Sequence, residues 1–202
     1  MNELLNVGEH ERAALCTGQK NEDWYLHEWI NYHLALGFDD IYIFDDNDDN
    51  TDPDSKLRQL LSADHPHVHI IPVQHLPKKA KKQSAIVDAC IKIIKRRDAA
   101  TNDKTVWASF LDTDEYVSLK KHRYLQYFLQ DHCPLPHCAS IGLNWHWFGT
   151  SNATYYANQP VTQRFQYRER TQEELIKSIF RIDEYRCNTN AHFVHLKSNP
   201  TN

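Results

Sequence analysis

Short apolar runs alternate with stretches of helical periodicity through the first half of the chain, and this alternation restricts the fold more than any other property of the sequence. Arg12-Ala13-Ala14-Leu15-Cys16-Thr17 is an apolar run that ends at Gly18. A helical pattern follows over Asp23 to Leu36, where Trp24, Tyr25, Trp29, Ile30, His33 and Leu34 recur before the natural stop Gly37. Asp40 to Phe44 reads as a second strand, and it empties into the acidic loop Asp45 to Asp54, whose Asp and Asn residues favour turns. Ser55 to Leu61 reads as a short helix and Val68 to Val73 as a third strand, with Pro72 marking its end or an edge position. Lys82 to Arg97 carries Ala85, Ile86, Ala89, Cys90, Ile93 and Ile94 on one helical face, and Val106 to Leu111 is the next strand. Strands alternating with amphipathic helices bury their apolar faces by layering helices on a mainly parallel sheet, so the expected class is α/β. Past Glu115, Tyr124 to Leu129 reads as helical, Ser140 to Phe148 as extended and Lys177 to Ile182 as a short strand.

Composition narrows the function classes. The 202 residues are 41% hydrophobic and 25% charged, enough for a full core without disulfides or structural metal. The net charge of −4 supplies no field to gather a polyanion, so nucleic acid is not an expected partner. The basic run Lys78-Lys79-Ala80-Lys81-Lys82 is a short solvated loop, suited at most to local contact with an anionic ligand or a peripheral membrane surface. Five cysteines without a C-x-x-C pair read as reduced thiols, and His65, His67 and His69 as a solvated strand edge. No signal-peptide pattern and no membrane-length apolar run occurs, which gives the expectation of a soluble, cytoplasmic chain. The sequon Asn152-Ala153-Thr154 matters only in a secretory compartment. No repeat or linker divides the chain, so residues 1–202 read as one domain.

In open α/β sheets ligands sit at the carboxyl ends of strands, and three polar clusters fall at such ends: Gly18 to Glu22, Asp45 to Asn47 and Asp112 to Glu115. Asp112 and Asp114 flank Thr113 in an extended exit from a buried strand, so both carboxylates can offer oxygen to a hard cation, Mn²⁺ or Mg²⁺. Asp46-Asn47-Asp48 and Asp52-Pro53-Asp54 repeat the D-x-D spacing, but they lie inside a polar loop instead of directly after an apolar strand. The acidic loop also fails the EF-hand pattern: counted from Asp46, Thr51 stands where glycine is needed and Leu57 where glutamate is needed. Asp45, at the strand end itself, suits hydrogen bonds from a base or ribose. Lys177 suits phosphate oxygens as a point charge. The aromatic segment Trp145 to Ser151, with Trp147 at its centre, is the candidate sugar and acceptor side.

Lys20-Asn21-Glu22, the stretch Tyr25 to Asn47, Gln83, Phe110-Leu111-Asp112-Thr113-Asp114-Glu115-Tyr116, Trp145 to Ser151, Lys177-Ser178-Ile179 and His192 follow one another in an order that resembles family 92 glycosyltransferases and their family 2-like relatives. The resemblance implies a GT-A (Rossmann-like) fold, with a donor half over about 12–118 and an acceptor half over about 119–202. It implies a nucleotide-diphosphate sugar donor, most often UDP-linked, and a divalent cation, usually Mn²⁺. On this resemblance Thr17, Lys20, Asn21, Glu22 and Asp45 border the nucleoside with Gln83 nearby, and Asp112 and Thr113 complete the nucleotide side. His192 approaches the metal or diphosphate beside Asp112 and Asp114; by its own chemistry it is equally a ligand or a packed histidine.

The expected activity is transfer of a hexose from a UDP-sugar to a hydroxyl of a glycan, glycoprotein or glycolipid, with inversion. Alternatives are an inactive nucleotide- or carbohydrate-binding module of the same fold and a sugar nucleotidyltransferase; only Gly18 is available for the latter's phosphate loop. An inverting transfer needs a base at the acceptor hydroxyl. Glu169, Glu173, Glu174, Asp183 and His146 are the candidates, none of them singled out by sequence, and Glu169 to Glu174 reads as a mobile or disordered charged stretch.

Overall fold

The computed structural model describes residues 11–48, 57, 65–76, 82–134, 138–150, 152, 154–155, 157, 159–171, 173–188 and 192–197. The chain runs β1 (Arg12–Gln19), α1 (Asp23–Leu36), β2 (Asp40–Asp45), β3 (Val68–Pro72), a 3-10 turn, α2 (Lys82–Thr101), β4 (Thr105–Phe110), α3 (Leu125–His132) and β5 (Ser140–Asn144). The short α4 (Val161–Arg164) follows, then β6 (Ile176–Arg181), a second 3-10 turn, β7 (Tyr185–Asn188) and β8 (Val194–Leu196).

Six strands form one sheet in the order β3-β2-β1-β4-β6-β5, and β7 and β8 form a separate antiparallel pair. β3, β2, β1 and β4 are parallel, whereas β6 is antiparallel to β4 and β5 to β6. The α/β class with a mainly parallel sheet is therefore borne out. Pro72 satisfies both of its readings: it ends β3, and β3 is an edge strand, where a missing N–H disturbs the ladder least.

The strands are apolar on both faces because both faces are covered. Ala13, Leu15, Ile41, Ile43, Trp107 and Ile179 pack with Leu26, Trp29 and Ile30 of α1 and Leu125 and Leu129 of α3. The alternate set Ala14, Cys16, Tyr42, Phe44, Ala108, Phe110 and Phe180 packs with Ile86, Cys90 and Ile94 of α2. Gly37 ends α1 at φ 116°, donating its N–H to the carbonyls of His33 and Leu34. A Cβ there would lie 2.5 Å from Gln126 Oε1. α2 continues past Arg97 to Thr101, and its Asp98 accepts both the N–H (2.8 Å) and hydroxyl (2.9 Å) of Thr105, fastening the helix end to the start of β4.

Two sequence readings are corrected. The cysteines are not all thiols: Cys16–Cys90 joins β1 to α2 across 74 positions and Cys133–Cys138 closes a short loop after α3, leaving Cys187 free and exposed. Partners so far apart meet only through packing of α2 on the sheet, which spacing does not reveal. The histidine edge is not simply solvated either. His69 Nε2 lies 3.0 Å from Asp40 Oδ1 and His67 Nδ1 3.7 Å, while Arg12 and Arg97 each hold Asp40 Oδ2 at 2.6 Å. Burial pushes the Asp40 carboxyl up, but hydrogen bonds from His69, Arg97 and Arg12 outweigh it and bring the pKa down to about 2. Of the Ser55 to Leu61 helix only Leu57 lies within the described residues, helical and buried, and Lys78 to Lys81 lie outside them. Among the described residues no helix is long and apolar enough to cross a membrane.

Candidate donor and acceptor site

The carboxyl ends of β1, β2 and β4 are neighbours in the sheet, so the three polar clusters converge. Gln19 Nε2 donates to Asp45 Oδ1 at 2.5 Å, and Asn47 N–H donates to the same oxygen at 3.0 Å. Asn47 Oδ1 accepts the N–H of Asn21 (2.7 Å), which turns through φ 60°, and Asn47 Nδ2 reaches Asp23 at 3.1 Å. Lys20 extends over this loop within 4.0 Å of Asp46 and 3.9 Å of Asp48. Thr17 is fully buried just below, and its hydroxyl has no hydrogen-bond partner among the described residues. A Cβ on Gly18 would stand 2.7 Å from Ile86 Cδ1, so α2 crosses the strand end closely and brings exposed Gln83, one turn earlier, to the rim.

The turn after β4 is closed reciprocally: Asp112 N–H donates to Glu115 Oε2 (2.8 Å) and Glu115 N–H to the Asp112 carbonyl (3.0 Å). Helix α1 holds the same turn from behind, with Trp29 Nε1 on the Glu115 carbonyl (2.9 Å) and Tyr32 OH on the Val117 carbonyl (2.7 Å). Thr113 is buried and donates its hydroxyl to Glu22, linking the first and third clusters. Asp114 is exposed.

Lys177 enters from β6. It is 2% exposed, and its Nζ lies 2.9 Å from Asp112 Oδ2 and 3.1 Å from Glu115 Oε2. The cation also faces the rings of Phe110 (5.4 Å) and Trp145 (5.6 Å). Burial raises the Glu115 carboxyl to about 7 even though Lys177 pulls it down. Trp145 packs edge-on to His192 at 4.9 Å and to Trp147 at 5.5 Å, and Ser178 Oγ fixes the His192 carbonyl at 3.2 Å. The Trp145 indole N–H is buried without a hydrogen-bond partner among the described residues. Asp112, Lys177, Trp145, Trp147 and His192 are thus brought into one cluster; Ser151 lies outside the described residues.

Three contributors escaped the sequence reading. Gln19 and Asn47 organise Asp45, and only their place in the strand-end clusters could have signalled them. Glu28 accepts the N–H of Val161 at 2.8 Å, docking α4 on α1. The charged stretch expected to be mobile is ordered in part: Phe148 bridges Arg168 antiparallel, Glu169 N–H donates to the Trp147 carbonyl (3.0 Å) and Glu173 N–H to that of Trp145 (3.3 Å).

Among the described residues no three His, Cys, Asp or Glu side chains are gathered as a ready metal cluster. Carboxylate oxygens are the hard donors that Mg²⁺ or Mn²⁺ takes, so Asp112 and Asp114 would fit such an ion, and a carboxylate held by Lys177 through one oxygen has a second to offer.

The sheet and its edge define a class: an α/β protein whose polar clusters gather at the carboxyl ends of parallel strands, where open sheets of this kind take their ligands. The sequence matches the Glycosyltransferase family 92 profile over residues 14–202, and the chain belongs to that family. A family 92 protein of Oryza sativa subsp. japonica is 28% identical over 187 residues, covering 91% of this chain and 30% of the relative. Others from Ricinus communis (29% over 199 residues, 93% and 32%) and Arabidopsis thaliana (27% over 182 residues, 86% and 29%) are similar. The chain spans about a third of the length of these relatives.

Proposed function

We propose that the chain is a metal-dependent glycosyltransferase domain of GT-A type that moves a hexose from a UDP-sugar to a hydroxyl of a glycan or glycoconjugate, with inversion. The observation that carries this reading is the buried Lys177 held against Asp112 and Glu115 at the strand edge where the Gln19–Glu22 and Asp45–Asn47 clusters also meet. Family membership supports the reaction class.

In this reading Asp45, with Gln19 and Asn47 fixing its orientation, receives the nucleoside, and Lys20, Asn21, Glu22 and Gln83 border it. Asp112 and Asp114 would hold Mn²⁺ or Mg²⁺, with His192 approaching from the β7–β8 side, and an ion bound there would supply positive charge against the negative charge that grows on the leaving diphosphate. Lys177 adds a fixed positive charge from a dry site, where it acts more strongly than in water. Trp145 offers its unpaired N–H to a donor oxygen, and Trp147 offers a flat face to a sugar. The two cystines favour an oxidising compartment over the cytoplasm as the working location.

Isothermal titration with UDP tests the donor side. Binding should require Mn²⁺ or Mg²⁺ and be lost when Asp112→Ala and Asp114→Ala are combined; metal-independent binding, or full binding by that double variant, refutes it.

A further inference from the structure

We propose that Glu169 is the general base that activates the acceptor hydroxyl, an assignment that rests on the transferase reading above. β5 runs antiparallel to β6 and therefore parallel to β4, so its exit at Asn144 lies at the same sheet edge as Asp112. Trp145 to Gly149 continues outward from that edge, and the returning segment from Tyr167 pairs with it through Gly149 N–H to the Tyr167 carbonyl (2.9 Å) and Glu169 N–H to the Trp147 carbonyl (3.0 Å).

The antiparallel bridge Phe148–Arg168 sets the register and puts Glu169 directly opposite Trp147. Residues opposite each other on an antiparallel pair project to the same side, with Cβ atoms about 5 Å apart. Trp147 touches Trp145, and Trp145 faces Lys177, so Lys177, Trp145, Trp147 and Glu169 form one continuous side of the hairpin. Two residues of extended chain advance about 6.6 Å, close to the width of a hexose ring. A diphosphate at Lys177 and Asp112, a donor sugar at Trp145 and an acceptor at Trp147 then fall in sequence, with the Glu169 carboxylate on the acceptor.

The same topology removes two competitors, Asp183 and His146, and sets Glu173 back from the acceptor. Asp183 follows β6 at the opposite end of the sheet, beyond the Trp107–Arg181 pair. His146 alternates to the other side of the hairpin, where Arg168 holds its Nδ1 at 2.8 Å. Glu173 sits back at the level of Trp145, and Asn144 binds its carbonyl at 3.3 Å.

In the step assigned to Glu169, its carboxylate takes the proton of the acceptor hydroxyl as that oxygen bonds to the anomeric carbon. The bond from the anomeric carbon to the diphosphate oxygen breaks, and the nucleoside diphosphate leaves with the electron pair. General base catalysis of this kind is worth about 10²–10⁴-fold.

The test measures transfer from a panel of UDP-hexoses to methyl glycosides with Mn²⁺, alongside UDP titration. E169Q should lower turnover about 100-fold or more, while Mn²⁺-dependent UDP affinity stays within about twofold. E169D should keep part of the rate and D183N should remain near wild type. E169Q within about threefold of wild type overturns the assignment, as does collapse of turnover in E173Q but not E169Q, or joint loss of UDP binding and turnover in E169Q. A wild-type protein that binds UDP yet transfers to nothing in the panel overturns the transferase reading itself, and the base with it.

Discussion

His33 and Glu115 sit on either side of one contact between α1 and the turn after β4, and their protons should push stability in opposite directions. His33 is fully buried, its Nδ1 lies 2.8 Å from the Trp29 carbonyl, and its Nε2 has no partner among the described residues. The bonded nitrogen carries the hydrogen, so protonation would bury a new N–H with no acceptor. Burial lowers its pKa from 6.5 to about 4, against the bond to Trp29. Between those values the unfolded chain binds a proton that the folded chain refuses, so His33 removes stability as pH falls. Glu115 moves the other way, from 4.5 up to about 7, so the folded chain holds a proton that the unfolded chain lacks. Its contribution is complete below pH 4.5 and lost as pH rises through 7. From pH 6.5 to 4.5 each group changes stability by about 2 kcal/mol at 1.36 kcal/mol per unit, with opposite signs, and the wild type should show little net slope from this pair. His33→Leu should become more stable on acidification by about 2 kcal/mol, or about 4–8 °C in Tm for a chain of this size. Glu115→Gln should lose a similar amount. Urea and thermal melts at the two pH values measure both. Equal pH slopes in wild type, His33→Leu and Glu115→Gln would refute the reasoning.

Lys177→Met leaves Asp112 and Glu115 without their cation; breaking a buried pair costs about 3–5 kcal/mol, and the partial exposure of Asp112 puts the expected loss near the lower figure, read by urea denaturation. Glu28→Ala should release the amides of Val161 and Thr162 to faster hydrogen exchange, whereas Glu28→Gln, which keeps an acceptor oxygen, should restore most protection. Gly37→Ala forces a side chain into the left-handed region against Gln126 and should cost more than about 1 kcal/mol in thermal melts. Replacing both Cys16 and Cys90 by Ala opens a loop closed across 74 positions and should cost about 4 kcal/mol on the chain-entropy account, seen as a lower urea midpoint.

The strands and their acidic exits were legible because apolar runs covered on both faces have a simple signature: Arg12 to Thr17, Asp40 to Phe44 and Val106 to Leu111 each fall within the observed β1, β2 and β4 to within two residues. Asp112 and Lys177 were each singled out by their own chemistry, yet their contact depends on β6 running against β4, and strand direction leaves no trace in a six-residue strand. The Glu28 to Val161 bond spans 133 positions and the Cys16 to Cys90 bond 74, distances at which residue type says nothing about partnership. Glu169 was one of five equal candidates until the Phe148–Arg168 register put it opposite Trp147. His67 and His69 looked solvated because the carboxylate they face, Asp40, belongs to a neighbouring strand.

The seam between β4 and β6, where a parallel sheet meets an inverted strand, gives one hairpin two separate jobs. Its base, through Lys177, is locked to the turn that contains Asp112, so length and register there are fixed by the core. Beyond Asn144 the described backbone pairing of the hairpin is between its own arms, at Phe148–Arg168, so no strand of the sheet takes its register from it. Exchange of exposed side chains on that outer part therefore leaves the register at the base of the hairpin undisturbed.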